Sequence, residues 1–249
     1  MSWRIGRWWL AGFIAYLFFL LATFPATYAL AWLQKRMPEV QLANISGSIW
    51  SGAAQEFALH GQSWGVLQWH FDWRAPFAGH IGYRFQLDAS DTALQGRVAG
   101  GRDKLLLQDV HGHIPIIRFE PWLPLPAGSV SGNLDMKLNR VLLIKLRPAL
   151  ADGVVNFTDV RLSRPQGVTL GNYQLKLSTQ AQKGIHGSFT DTGGPLVLQG
   201  TLDLTPSGRY QVSGTMTSRD PANAALNNML GYLPADGAGH HPFSFSGQW

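Results

Sequence analysis

Apolar and polar residues alternate along most of the chain after residue 40, and this period of two predicts half-buried β-strands. The clearest stretches are 67–73 and 83–88, where every second residue has a large apolar side chain. Shifting either strand by one residue would expose its whole apolar set, so the pattern also specifies the register. The apolar positions of these two stretches are Leu67, Trp69, Phe71, Trp73, Tyr83, Phe85 and Leu87.

A short unit with a central glycine recurs along the same region. It consists of an apolar residue, a small or polar residue, glycine, any residue and a second apolar residue. Glycine inside a strand marks a bulge, a bend or a close approach of two backbones. We therefore expect an elongated, curved antiparallel sheet, although the irregular spacing argues against a strict solenoid repeat. The units are centred on Gly47, Gly96, Gly112, Gly132, Gly187, Gly200, Gly214 and Gly247.

One helix is predicted near the C-terminus, with Asp220 as N-cap, Pro221 in the first position and Gly231 after its end. The segment 139–150 remains open, because its apolar run fits either a buried strand or a short helix. Four prolines, Pro115, Pro121, Pro124 and Pro126, predict a long connection. This connection would divide the β body into two halves, 41–120 and 127–249, which are not expected to be independent domains.

No charged residue occurs from residue 8 to residue 34. About 20 apolar residues in a helix cross a hydrocarbon core of roughly 30 Å, and tryptophans at both ends of this stretch suit the headgroup level. We predict a transmembrane anchor at 8–33. Residues 1–7 would lie in the cytoplasm, and the rest of the chain would lie on the other side of the membrane. The alternative is a signal peptide cleaved near Ala29–Ala31, but the stretch exceeds the usual core of about 7–15 residues.

Composition narrows the function classes. The 249 residues include no cysteine, which excludes disulfides, iron–sulfur clusters and a cysteine nucleophile. More than half of the net charge of +5 lies beside the apolar stretch, where Arg4, Arg7, Lys35 and Arg36 are accompanied by one acidic residue, Glu39. Because the remaining charges are scattered and nearly balanced, a nucleic-acid partner is not expected.

Candidate catalytic and metal-binding patterns all have simpler explanations. Ser63 lies in a G-x-S-x-G string, but the residues after it alternate like a strand, whereas this motif requires a helix there. A β-turn between two strands explains the glycines. The histidine pairs lack a third ligand, so surface histidines are favoured over a metal site, and we expect no enzyme, cofactor or metal. These pairs are His111 with His113 and His240 with His241.

Several strings, in chain order, resemble protein N of the bacterial type II (general) secretion pathway. They are 47–52, 67–73, 128–134, 153–157, 194–204, 208–214 and 246–249. The resemblance implies a single-pass protein of the bacterial inner membrane with a periplasmic β domain at 34–249. It also implies an accessory, non-catalytic role in exporting folded proteins across the outer membrane. The implied partners are the inner-membrane platform proteins of that system and its secretin.

Two function hypotheses follow. In the first, the chain is a scaffold component whose exposed strand edges pair with a partner's strand. In the second, suggested by a distant similarity to AsmA-like, repeating β-groove proteins, the β body binds or transfers lipid in an apolar trough. The residues expected to line that trough, or a partner-binding face, are Trp69, Phe71, Trp73, Tyr83, Phe85 and Leu87.

Overall fold

A computed structural model describes residues 12–13, 16, 19–20, 23–27, 39–101, 103–122, 128–145, 147–163, 167–180, 183–236 and 239–248. These residues form one antiparallel sheet of thirteen strands, in which each strand pairs with the next one along the chain. One short α-helix of the described residues lies near the C-terminus. The predicted class, mainly β with one antiparallel sheet and one short C-terminal helix, is confirmed.

The elements follow one another as a continuous meander. The strands are β1 (Val40–Gly47), β2 (Ser51–Leu59), β3 (Gln62–Phe71), β4 (Ile81–Asp88), β5 (Ala93–Gly100), β6 (Lys104–Pro115), β7 (Val130–Ile144), β8 (Arg147–Leu162), β9 (Val168–Gln180), β10 (Gly184–Gly193), β11 (Leu196–Leu204), β12 (Arg209–Ser218) and β13 (His241–Gln248). Two 3₁₀ helices, η1 (Ala75–Ala78) and η2 (Ile116–Trp122), and the helix α1 (Ala224–Leu230) lie in the connections.

The sheet continues across the proline-rich connection. Strand β6 pairs with β7 from Lys104 opposite Ile144 to Pro115 opposite Asn133, so η2 lies in the loop between two hydrogen-bonded strands. In the ambiguous segment 139–150, residues 139–144 end β7 and residues 147–150 begin β8, with a turn at Lys145, so its described part contains strand and no helix. Strands β1 and β13 each have one neighbour among the described residues, and they form the two edges of the sheet.

Aromatic side chains cover glycines on the adjacent strand at several places in the sheet. A methyl group added to Gly52 would lie 2.5 Å from the Trp69 ring, which is closer than two carbon atoms can approach. The absence of a side chain therefore allows the ring to lie flat across the neighbouring backbone. This arrangement gives a structural reason for glycine at four positions in the sheet. The pairs are Gly52 with Trp69, Gly96 with Phe85, Gly214 with Phe243 and Gly247 with Tyr210.

The buried apolar side chains of the described residues form three separate clusters. One joins Trp64, Leu87 and Ile114, with Phe119 of η2 packed against it. A second is built on Ile116, Leu134, Val160 and Tyr173. The third contains Val168, Leu196, Leu226 and Leu230. In each cluster, side chains from one face of the sheet meet side chains of a connection or of a neighbouring strand.

The start of α1 differs from the prediction. Asn223, not Asp220, is the N-cap, because its side-chain oxygen accepts a hydrogen bond from the Leu226 amide at 3.1 Å. The Asp220 carboxylate instead accepts from the Ala222 amide at 2.9 Å and forms a turn before the helix. The predicted end is confirmed, since the Gly231 amide closes the last turn on Asn227.

The described part of the chain includes no helix with the length and apolar character needed to cross a bilayer. Most of the predicted anchor at 8–33 lies outside the described residues, so the transmembrane helix stays a prediction. Within that stretch, Phe13, Tyr16, Phe19 and Leu20 are helical and exposed.

Candidate functional site

Four aromatic rings meet where the turns β1–β2 and β3–β4 lie side by side. Trp50 stacks on Trp73 with ring centroids 4.9 Å apart, and Phe71 meets both rings edge-on at 4.8 Å. Tyr83 of β4 packs against Phe71 at 5.3 Å. We call Trp50, Phe71, Trp73 and Tyr83 the aromatic cluster. Edge-to-face and stacked rings at these separations stabilise one another beyond their buried area.

The remaining predicted residues lie on the same face of the sheet. Trp69 is paired with Phe85, and Leu67 with Leu87, so their side chains share a face with Phe71 and Tyr83. The Trp69 indole donates to the Ser48 carbonyl at 3.1 Å, which fixes its ring across the β1–β2 turn. Leu87 is buried in the cluster that it forms with Trp64 and Ile114. The six predicted residues are therefore brought together on one face, whereas their role in a trough or partner face stays a prediction.

The opposite face of the same strands is polar. A depression of about 440 Å³ lies there between β3 and β6, and most of the residues around it are polar or charged. They include His70, Arg84 and His111, together with an ion pair between Arg97 and Asp109.

The residues considered for catalysis or metal binding occupy ordinary positions in the sheet. Ser63 lies in β3 after the tight turn at His60–Gly61, and its carbonyl accepts a hydrogen bond from Arg118. His113 contacts the Asp135 carboxylate at 2.8 Å, and His111 contacts the Asp109 carbonyl. Within the described ranges, no three histidine or acidic side chains converge as metal ligands would.

Sequence reasoning missed the loop between β3 and β4. Phe77 in η1 is 94% exposed, and Trp73 and Ile81 at the two ends of the loop are 63% and 59% exposed. A usable signal was present, because a loop that joins two strands is normally polar, whereas this one contains Trp73, Arg74 and Phe77.

The fold thus defines a β-sheet protein whose accessible features are two strand edges, one apolar face and an exposed aromatic loop. A family model described as type II secretion system (T2SS), protein N, matches residues 38–244. The chain belongs to that family. The match covers nearly the whole sheet, and the resemblance found in the sequence is confirmed.

Three relatives support the assignment. The chain is 28% identical over 250 residues to the type II secretion system protein N of Klebsiella pneumoniae, covering 94% of this chain and 92% of the relative. Identity to the protein of the same name from Vibrio cholerae is 28% over 235 residues, 90% of each chain. The Aeromonas hydrophila protein is 27% identical over 247 residues, which cover 94% of this chain and 95% of the relative. No solved structure matches the chain.

Proposed function

We propose that the chain is an accessory, non-catalytic component of a type II secretion system, acting as a scaffold or interaction protein in the export of folded proteins. Residues 8–33 anchor it in the bacterial inner membrane, residues 1–7 lie in the cytoplasm and residues 34–249 form a periplasmic β domain. The observation that carries this proposal is the family match from residue 38 to residue 244. The protein N relatives also align along almost their full length.

Two residues inside the predicted anchor at 8–33, Phe24 and Pro25, are not helical and contact the sheet. The Ile49 amide donates to the Phe24 carbonyl at 3.1 Å, and Pro25 forms a bridge with Ser48. Ala26 is buried. These contacts support an anchor that holds the β domain in a defined position close to the membrane.

The edge strand β13 is the surface that best suits a protein partner. One side of its backbone pairs with β12, and an edge strand presents its other row of amides and carbonyls for pairing with a further strand. Main-chain hydrogen bonds of this kind give affinity, while exposed side chains such as Phe245 add specificity. The proposed partners are the inner-membrane platform proteins and the secretin.

Deleting the gene and assaying exoproteins in the culture medium tests the role in secretion. We expect exoproteins to accumulate in the periplasm and secretion to return when the full chain is supplied. A photo-crosslinking amino acid placed at Phe245 should capture a platform protein or the secretin, whereas the same probe at Lys137 on central strand β7 should not. Normal secretion in the deletion strain, together with no capture at Phe245, would contradict the proposal.

A second candidate function is lipid binding on the apolar face. Tyr83, Val98, Leu107 and Val141 are paired in register across β4, β5, β6 and β7, and all four side chains are only half-buried. Such a row, adjoining the six predicted trough residues, could hold an acyl chain. The 3₁₀ helices η1 and η2 contact β4 and β7, the two outer strands of this row, whereas α1 contacts β12.

Native mass spectrometry of the detergent-extracted full chain tests this second function. We expect bound phospholipid, and we expect Leu107→Gln to reduce its amount. Gln108→Asn, at the neighbouring position on the other face of β6, is the matched control. Extracted protein that carries no lipid, or equal lipid in both variants, would argue against a groove.

A further inference from the structure

The two ends of the strands carry opposite charge. The turns β1–β2, β3–β4, β5–β6, β7–β8, β9–β10 and β11–β12 lie at one end, which we call the basic end. Most of its described charged residues are basic, and all of the basic ones are exposed. The basic residues are Arg74, Lys104, Lys145, Arg147, Lys183 and Arg209, and the acidic residues are Asp72 and Asp103. At the opposite end, acidic residues outnumber basic ones. The acidic residues are Glu39, Asp88, Asp91, Glu120, Asp220 and Asp236, and the basic residues are Arg118 and Arg219.

The basic end also carries the exposed apolar loop between β3 and β4. This loop is held in place by hydrogen bonds from the Ala75 amide to the Asp72 carbonyl and from the Gly79 amide to the Pro76 carbonyl, both at 3.0 Å. The Arg74 amide in addition donates to the Asp72 carboxylate at 3.0 Å. The exposure of Phe77 is therefore a feature of an ordered turn.

The same end lies beside the predicted anchor. Phe24 and Pro25 directly contact the β1–β2 turn, whose Trp50 stacks on Trp73 of the exposed loop. Phe24 and Pro25 belong to the predicted anchor at 8–33, so if that anchor holds the chain in the inner membrane, this contact places the exposed loop close to the bilayer. Each strand of a sheet is rotated by roughly 20–25° relative to the next one. The turns closest to β1 can therefore all face the membrane, whereas this twist turns the more distant ones away from it.

We propose that Trp73, Arg74, Phe77, Ile81 and Lys104 form a membrane-facing patch that docks on the anionic surface of the bilayer that holds the anchor. Aromatic side chains prefer the headgroup level, and basic side chains are attracted to anionic lipid phosphates. The patch offers both kinds of side chain. Asp72 and Asp103 offset the charge of Arg74 and Lys104 on the same two turns, so the excess of basic charge that suits an anionic surface comes from the other turns of the basic end, at Lys145, Arg147, Lys183 and Arg209. This inference rests on the proposed anchor but not on any role in secretion.

The test uses the full chain in proteoliposomes made of phosphatidylcholine with or without phosphatidylglycerol. Because the chain has no cysteine, Phe77→Cys allows an environment-sensitive fluorophore to be attached at one place. Ser90→Cys is the matched control, since it lies in the exposed turn at the other end of β4, roughly 25 Å away. Brominated lipids quench only a fluorophore that enters the bilayer surface.

We expect the label at residue 77, but not the label at residue 90, to shift to the blue and to be quenched in vesicles containing phosphatidylglycerol. High salt should reduce the quenching, since it screens exposed charges. Each of Arg74→Ser and Lys104→Ser should weaken the docking equilibrium about fivefold. The equivalent change at Arg209, on a distant turn of the same end, should have a smaller effect.

Other outcomes would overturn the inference. A label at residue 77 that stays in water in both kinds of vesicle, or equal quenching at both positions, contradicts docking while leaving the secretion role intact. Shielding of residue 77 that requires added secretion proteins would assign the patch to a protein partner. A chain that is washed off the vesicles by carbonate contradicts the anchor and the docking together.

Discussion

Gly214→Ala tests whether the close backbone approach between β11 and β12 requires glycine. Gly214 of β12 lies opposite Gly200 on one side and Phe243 on the other. An added methyl group would lie 2.7 Å from the Gly200 Cα and 2.8 Å from the Phe243 ring, and closer still to the Gln199 carbonyl oxygen. Two of these three obstacles are backbone atoms, which cannot move without displacing β11.

The size of the effect follows from two opposing contributions. Forcing an extra carbon into a packed site destabilises a protein by about 1–3 kcal/mol. Replacing glycine by alanine in a strand recovers roughly 0.5–1 kcal/mol of backbone entropy. The difference between these contributions is about 0–2.5 kcal/mol, and we expect the free energy of unfolding to fall by an amount in the upper half of that range, because two of the three obstacles are backbone atoms.

Two further glycines provide controls. At Gly247 the three nearest atoms all belong to the Tyr210 side chain, which can rotate away, so Gly247→Ala should cost less than about 1 kcal/mol. At Gly101 nothing lies within 4 Å, and alanine there should change the stability by no more than about 0.5 kcal/mol. Urea unfolding of the full chain in detergent, followed by tryptophan fluorescence, gives the three values. Equal losses at Gly214 and Gly247 would refute the distinction between backbone and side-chain obstruction.

Three more substitutions test the packing and the charges. Leu226→Ala should cost about 2–5 kcal/mol, because this α1 side chain is 0% exposed, and a thermal melt as stable as that of the native chain would contradict the placement of α1. Burial and the nearby Asp191 raise the pKa of Tyr173. The stability that the protonated Tyr173 side chain provides is therefore lost as the pH rises above about 10. In urea unfolding, Tyr173→Phe should reduce this loss of stability at alkaline pH. The hydrogen bond from Arg118 lowers the pKa of Asp91. The stability that this hydrogen bond provides is therefore present above the usual pKa of about 3.9 and is lost at lower pH. In the same measurement, Arg118→Met should make the stability depend less on pH in the acid range.

The strand pattern could be predicted because it depends on local alternation. The stretch 83–88 lies within β4, and the stretch 67–73 overlaps β3, which ends at Phe71. The end of α1 at Gly231 could likewise be predicted from one residue. The start of α1 could not, because Asp220 and Asn223 are both good caps, and only the fold selects between them.

The exposed loop could not be predicted from alternation, because burial of a loop depends on what the rest of the chain packs over it. Phe77 and Ile81 would be judged core residues on hydrophobicity alone. Similarly, the recurring glycines predicted close backbone approaches but not their partners. Strands with the same alternation can pair in many orders, so the contact of Gly214 with Phe243 depends on the β12–β13 pairing, which local patterns do not encode.

Membrane docking and lipid binding are linked by geometry. Tyr83 is the third residue of β4 and Leu107 the fourth of β6, so the half-buried apolar row lies within roughly 10 Å of the basic end. A lipid that left the bilayer at the docked patch would meet this row after a short path, whereas an undocked sheet would leave it surrounded by water. Edge strand β13 runs from the acidic end to the basic end, so a partner strand could pair along it whether or not lipid is bound. The variants Arg74→Ser and Lys104→Ser should therefore reduce lipid copurification as well as quenching, while leaving the capture of partners at Phe245 unchanged.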